Sequence, residues 1–107
     1  MSARAEFCLV ITTVGAEKDA AAIAEALVAQ QLAACVQILP MSSRYIWDGE
    51  VRKDAECLML VKAKSADYAD LATVIAGMHP YEIPEILKFD VADGNAAYLE
   101  WMRATTR

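Results

Sequence analysis

Two short segments of this chain are apolar at every position: residues 7–11 read FCLVI and residues 57–61 read CLMLV. Side chains of a strand alternate between its two faces. Phe7, Leu9 and Ile11 would therefore line one face and Cys8 and Val10 the other, just as Cys57, Met59 and Val61 oppose Leu58 and Leu60. A sheet that carries helices on one side only normally shows polar residues on its free side. A chain with two apolar faces has to cover both. Burying four further aliphatic side chains is worth roughly 6–12 kcal/mol, at about 1.5–3 kcal/mol each. The sequence thus predicts self-association through the face its own helices do not reach.

The elements that would carry these faces follow from periodicity and punctuation. Residues 6–14, EFCLVITTV, are short, β-branched and ended by Gly15, as a buried strand should be. Residues 16–34 place Ala20, Ile23, Leu27 and Val28 or Gln31 at helical spacing, with acids in the first turn where the helix dipole favours them. Residues 35–64 read as two strands around Asp48-Gly49, a dipeptide that readily supplies the positive φ angles of a tight hairpin. At roughly 3.3 Å per residue, such strands should reach well beyond the body of a small domain. Pro40 removes one ladder donor, which predicts a bulge, a bend or an exposed edge near it.

A second helix is predicted within 65–80, with Ser65 as N-cap, Tyr68, Leu71, Ile75 and Met78 on its apolar stripe, and Pro80 just past its end. A fourth strand over 82–91 would put Leu87, Phe89 and Val91 on one face, and a closing helix over 93–107 has Tyr98, Trp101 and Met102 as its apolar side. The order βαββαβ plus a terminal helix is that of an α+β, ferredoxin-like fold, an antiparallel four-stranded sheet with two helices on one face. With 107 residues and no linker, the whole chain, 1–107, is read as one domain.

Charge and cysteine usage exclude several classes of function. Ten Lys and Arg against 15 Asp and Glu give a net charge of −5, with no basic cluster, which disfavours nucleic acid and anionic membranes as partners. No stretch approaches the roughly 18 apolar residues of a membrane span, and the first apolar run reads as a strand and not as a signal peptide. A soluble, cytoplasmic protein is expected. Cys8, Cys35 and Cys57 are odd in number, widely spaced and without a C-x-x-C pair, so they are read as small hydrophobes and not as a disulfide framework or a zinc knuckle.

Chemistry concentrates in MHPYEIPEI, residues 78–86, and in SSRYIWDGE, residues 42–50. His79 is the only histidine, so it is the natural proton carrier or metal ligand near neutral pH, although a place at a helix C-terminus accounts for it equally well. Met78 is expected to pack in the core, while a thioether beside an imidazole also suits copper. Glu82 and Glu85 are expected to point apart in an extended stretch and form no acid/base pair. Tyr45 and Trp47 share a strand face near the hairpin tip, where a subunit contact is the first reading and a stacking pocket for a flat ligand the second. Phosphate-binding loops, zinc-protease motifs and nucleophile elbows are absent from the sequence, so no enzyme is expected.

Four segments, LAACVQILP, SSRYIWDGEVRKDAE, HPYEIPEI and NAAYLEWM, resemble in order and spacing the signature segments of the CutA family, the divalent-cation tolerance proteins. The resemblance runs from about Phe7 to Met102. It implies a ferredoxin-like subunit assembled as a compact homotrimer, related in architecture to the trimeric PII signalling proteins. It implies a cleft between subunits ringed by Tyr45, Trp47, His79, Tyr81 and Glu85, and a link to divalent copper; on the reading of the residues themselves His79 would be the main metal ligand, with Met78 assisting in the Cu(I) case. Gln37 stands where some members have Asn. Thr12 and Met78 stand where some bacterial members carry a Cys and a second His, so the implied copper binding is weak and no cofactor is obligatory. The alternative function is a PII-like regulatory trimer that binds a small effector in the cleft and signals to a partner protein.

Overall fold

A computed structural model describes residues 5–107. The elements run β1 (Phe7–Val14), α1 (Glu17–Ala29), β2 (Cys35–Trp47), β3 (Glu50–Lys64), a 3-10 turn (Ser65–Asp67), α2 (Tyr68–Met78), β4 (Leu87–Asp90) and α3 (Ala96–Thr105). The four strands form one antiparallel sheet in the order β2-β3-β1-β4, the expected ferredoxin-like arrangement.

Strand alternation divides the sheet as the sequence requires. Cys8, Val10, Met59, Val61 and Ala63 turn to one face and join Ala20, Ile23 and Leu27 of α1 and Leu71 and Ile75 of α2 in a single core cluster. Leu9, Ile11, Leu58 and Leu60 turn to the other face and stay only partly covered. Register places Phe89 and Leu87 of β4 beside Leu9 and Ile11 on that second face, and both are 49% exposed. Helix α3 reaches the same face, where the Lys62 ammonium donates to the Tyr98 hydroxyl at 3.3 Å and the Arg103 guanidinium lies 5.4 Å from the centre of the Phe7 ring.

The β2–β3 hairpin turns on Asp48 (φ 54) and Gly49 (φ 74), two successive positive φ angles that match the twist of the flanking strands. Pairing then continues without interruption from Trp47↔Glu50 to Cys35↔Lys62. Pro40 sits opposite Cys57 with no bulge, because β2 is an edge strand; of the three expected accommodations, edge exposure is the one realised. The tip stands clear of the core, with Ile46 and Val51 exposed.

Several boundaries and roles differ from expectation. Helix α1 stops at Ala29 and not at residue 34, because Gln31 adopts a left-handed conformation (φ 58) and the Leu32 N–H turns back to the Leu27 carbonyl at 3.0 Å. Ser65 does not cap α2: it opens the 3-10 turn, and its hydroxyl has no hydrogen-bond partner. Strand β4 covers only four residues, since the ladder to β1 begins at Leu87, after Pro84, which has no N–H to donate. The buried stripe of α2 advances in steps of four, Leu71, Ile75 and then His79, so Met78 lies outside the core and is 42% exposed. Asn95 caps α3 by accepting the Tyr98 N–H at 3.1 Å, and of that helix's three predicted apolar residues only Met102 is buried.

Leu71→Ala should lower the unfolding free energy by about 2–5 kcal/mol, the range for an aliphatic side chain truncated in a close-packed core. Met78→Ala should change it by no more than about 0.5 kcal/mol. Denaturant midpoints at one fixed protein concentration check both.

Candidate functional site

The outer half of the hairpin and the segment that follows α2 line a cleft of about 370 Å³. Thr13 closes it from the end of β1, Ser43, Arg44, Tyr45 and Trp47 from β2, Glu56 from β3, and Tyr81, Ile83 and Glu85 from the segment before β4. A second lobe of about 240 Å³ shares Tyr45, Trp47 and Tyr81 and adds Asp54 and Glu82. Four of the five expected cleft residues, Tyr45, Trp47, Tyr81 and Glu85, therefore meet around one cavity.

The hairpin register explains why the acids are there. A turn centred on Asp48 and Gly49 sets Tyr45 opposite Arg52, Ser43 opposite Asp54 and Met41 opposite Glu56, so alternate residues of both strands share one face. Diagonal neighbours across two strands lie within reach of long side chains. The Tyr45 hydroxyl accordingly donates to the Asp54 carboxylate. Sequence reasoning did not assign Asp54 or Glu56. Counting outward from Asp48-Gly49 would have found them on the face of Tyr45 and Trp47.

Tyr81 is fixed from several sides. Its hydroxyl donates to Glu56 Oε2 at 2.8 Å, its N–H donates to His79 Nδ1 at 3.1 Å, and its ring lies 4.8 Å from the imidazole, centroid to centroid. A Cβ added at Gly15 would stand 3.0 Å from the Tyr81 hydroxyl oxygen, so a larger residue there would press the phenol aside by a few tenths of an ångström. Burial, and after it the Glu56 carboxylate, push the Tyr81 phenol well above the ordinary tyrosine range. The hydrogen bond to Asp54 raises the Tyr45 phenol as well. Both rings are neutral donors to carboxylates.

His79, the fifth expected cleft residue, is buried behind Tyr81 and does not line the cavity. Because Nδ1 accepts the Tyr81 N–H, the proton is on Nε2, which donates to the Thr13 carbonyl at 2.8 Å. The imidazole thus ties the end of α2 to the end of β1 and to the cleft wall. A metal ion at either ring nitrogen would have to displace one of these backbone partners. Met78 is exposed next to it, while Thr12 is fully buried among core residues. Among the described residues, no group of three or more His, Cys, Asp or Glu is placed to hold a metal.

Fold and site together define a ferredoxin-like α+β domain with a projecting hairpin and an aromatic, acidic cleft against its outer half. The family model described as CutA1 divalent ion tolerance protein matches residues 8–105. The chain is 44% identical over 99 residues to the divalent-cation tolerance protein CutA of Thermus thermophilus, covering 92% of this chain and 96% of that one. It is 41% identical over 91 residues to human protein CutA, covering 84% of this chain and 51% of that protein, so it spans about half the human relative's length. The solved CutA1 of a psychrotrophic Shewanella superposes with a TM-score of 0.93 at 35% identity, covering 97% of this chain and 98% of that one. The chain belongs to the CutA family.

A phenol held protonated by the fold contributes stability that is complete below the unfolded pKa of about 10 and is lost as pH rises beyond it. In Glu56→Gln the Tyr81 phenolate should form at lower pH than in the parent chain. An alkaline absorbance titration that does not move would show that the Glu56 carboxylate has no hold on the phenol.

Proposed function

We propose that this chain acts as a cytoplasmic, homotrimeric divalent-cation tolerance protein that binds a cation at His79, behind the wall of the Tyr45, Trp47, Tyr81 cleft, offers that cleft to a further ligand and catalyses no reaction there. The observation that carries the reading is the convergence of residues from four separate parts of the chain, Thr13, Tyr45, Glu56 and Tyr81, on one preformed cavity. Membership of a family described by divalent-ion tolerance supplies the biological context. The three free thiols suit a reducing compartment.

Assembly follows from the uncovered sheet face. Leu39, Leu87 and Phe89 are exposed on or beside strands that are already apolar, and Ile46 and Val51 are exposed at the hairpin tip. Fully burying each such side chain stabilises by about 1.5–3 kcal/mol. Closed rotational symmetry lets one patch be covered in every copy. Light scattering should give three times the subunit mass at all practical concentrations, and a stable monomer would end the reading.

Copper is the cation we assign, held weakly by His79 with Met78 assisting. A thioether and an imidazole suit copper better than magnesium or calcium. Since both ring nitrogens have backbone partners, binding at Nδ1 must release the Tyr81 N–H, and binding at Nε2 must release the Thr13 carbonyl. Weak affinity follows, together with coupling between the metal and the cleft wall. Calorimetric titration should show a weak copper isotherm that His79→Ala abolishes and Met78→Ala reduces. Identical isotherms in all three proteins would remove the metal assignment.

A second reading, a regulatory trimer that binds a small effector and signals to a partner protein, is favoured by the three aromatic side chains that line both lobes.

A further inference from the structure

The two lobes combine three aromatic rings with an unbalanced set of charges. Glu56 and Glu85 line one lobe and Asp54 and Glu82 the other, against Arg44 as the one cationic side chain among the lining residues. The Arg44 guanidinium donates to Ser42 Oγ at 3.2 Å. Tyr45, Trp47 and Tyr81 are common to both lobes, so any occupant of either lies against ring surface.

Each ligand class makes a different demand on such a site. A phosphate or carboxylate ligand needs clustered basic side chains or a run of free backbone N–H groups, and here it would meet four carboxylates and one guanidinium. A small dication needs several oxygens converging on one point. The phenols of Tyr45 and Tyr81 have instead drawn Asp54 and Glu56 into separate hydrogen bonds. An organic cation makes the opposite demand: a diffuse positive charge is attracted to the electron-rich faces of Trp and Tyr and is balanced by carboxylates at the rim. About 370 Å³ lies within the usual range of small-molecule sites.

We propose that the cleft takes a free organic ammonium ion, with Trp47, Tyr45 and Tyr81 forming its aromatic walls and Glu56 and Glu85 balancing its charge. The proposal rests on the cleft being the ligand site and names the class of ligand. Each phenol hydrogen is already committed to a carboxylate, so the rings offer the ligand their faces and not a donor. A carboxylate that accepts one phenol hydrogen keeps further lone pairs for an ammonium N–H. Glu56 therefore serves two purposes, holding Tyr81 in place and supplying charge.

Fluorescence of Trp47 tests this in the intact assembly carrying Trp101→Phe, which leaves Trp47 as the single indole. Choline and spermidine should each give a saturable change. The uncharged isostere of choline, 3,3-dimethylbutanol, should give none, nor should citrate, ATP or calcium. Glu56→Gln removes the charge while its amide oxygen still accepts the Tyr81 hydroxyl, and it should weaken choline or spermidine binding at least about tenfold. Binding of the neutral isostere as tightly as choline, or saturation only by citrate, ATP or calcium, would overturn the ligand class and leave the cleft as a binding site. Binding of a lysine-rich peptide without binding of the free amines would overturn it in favour of a protein partner. No response of Trp47 to any probe would overturn both the class and the cleft.

Discussion

The two-residue turn at Asp48 and Gly49 fixes the pairing of β2 with β3, and most of the molecule's functional surface depends on that register. A slip of one residue would send every side chain of a strand to the opposite face. In β2 it would carry Tyr45 and Trp47 away from Tyr81; in β3 it would carry Asp54 and Glu56 away and would also turn Met59 and Val61 out of the core. The inner half of the same hairpin builds the core and its outer half builds the cleft. Core packing therefore enforces the geometry of the site, since the buried inner residues tolerate only one register.

His79 connects the site to the core in a second way. An imidazole this buried must satisfy both nitrogens, because an unmade hydrogen bond in a dry interior costs about 1–3 kcal/mol. It does so with two backbone groups far apart in sequence, the Thr13 carbonyl and the Tyr81 N–H. The neutral ring with its proton on Nε2 satisfies both. The position of Tyr81, and with it one wall of the cleft, is therefore tied to the placement of this one ring.

How much of this was legible in the sequence depended on whether a local signal existed. The strand order, the hairpin and the two-faced sheet were readable because alternation, β-branched runs and Asp48-Gly49 act over a few residues. The end of α1 was not, since Gln31 takes a left-handed conformation more typical of Gly or Asn and the polar Gln30-Gln31 pair reads as ordinary helix surface. Met78 was misplaced because a step of three from Ile75 and a step of four to His79 fit the helical period equally well, and only the tertiary contact with Thr13 selects the second. Tyr45, Trp47, Tyr81 and Glu85 were found through their motifs, whereas Asp54 and Glu56 looked like ordinary charges on a solvated strand until the register set them beside the phenols.

The same alternation that makes the sheet apolar on both faces also separates stability from recognition. Along β1, Cys8, Val10 and Thr12 face the helices, while Leu9, Ile11 and Thr13 face outward, and Thr13 is the residue that reaches the cleft. Changes in the first set act on folding, as in any packed interior. The second set lies on the surface that the proposed trimer would cover, so its apolar members act on assembly, and the cleft begins where that surface ends. Beyond Glu56 the hairpin becomes charged and exposed, with Asp54, Arg52 and Glu50 at alternate positions. The transition from apolar to acidic along a single strand thus places the polar cleft directly at the margin of the apolar outer face.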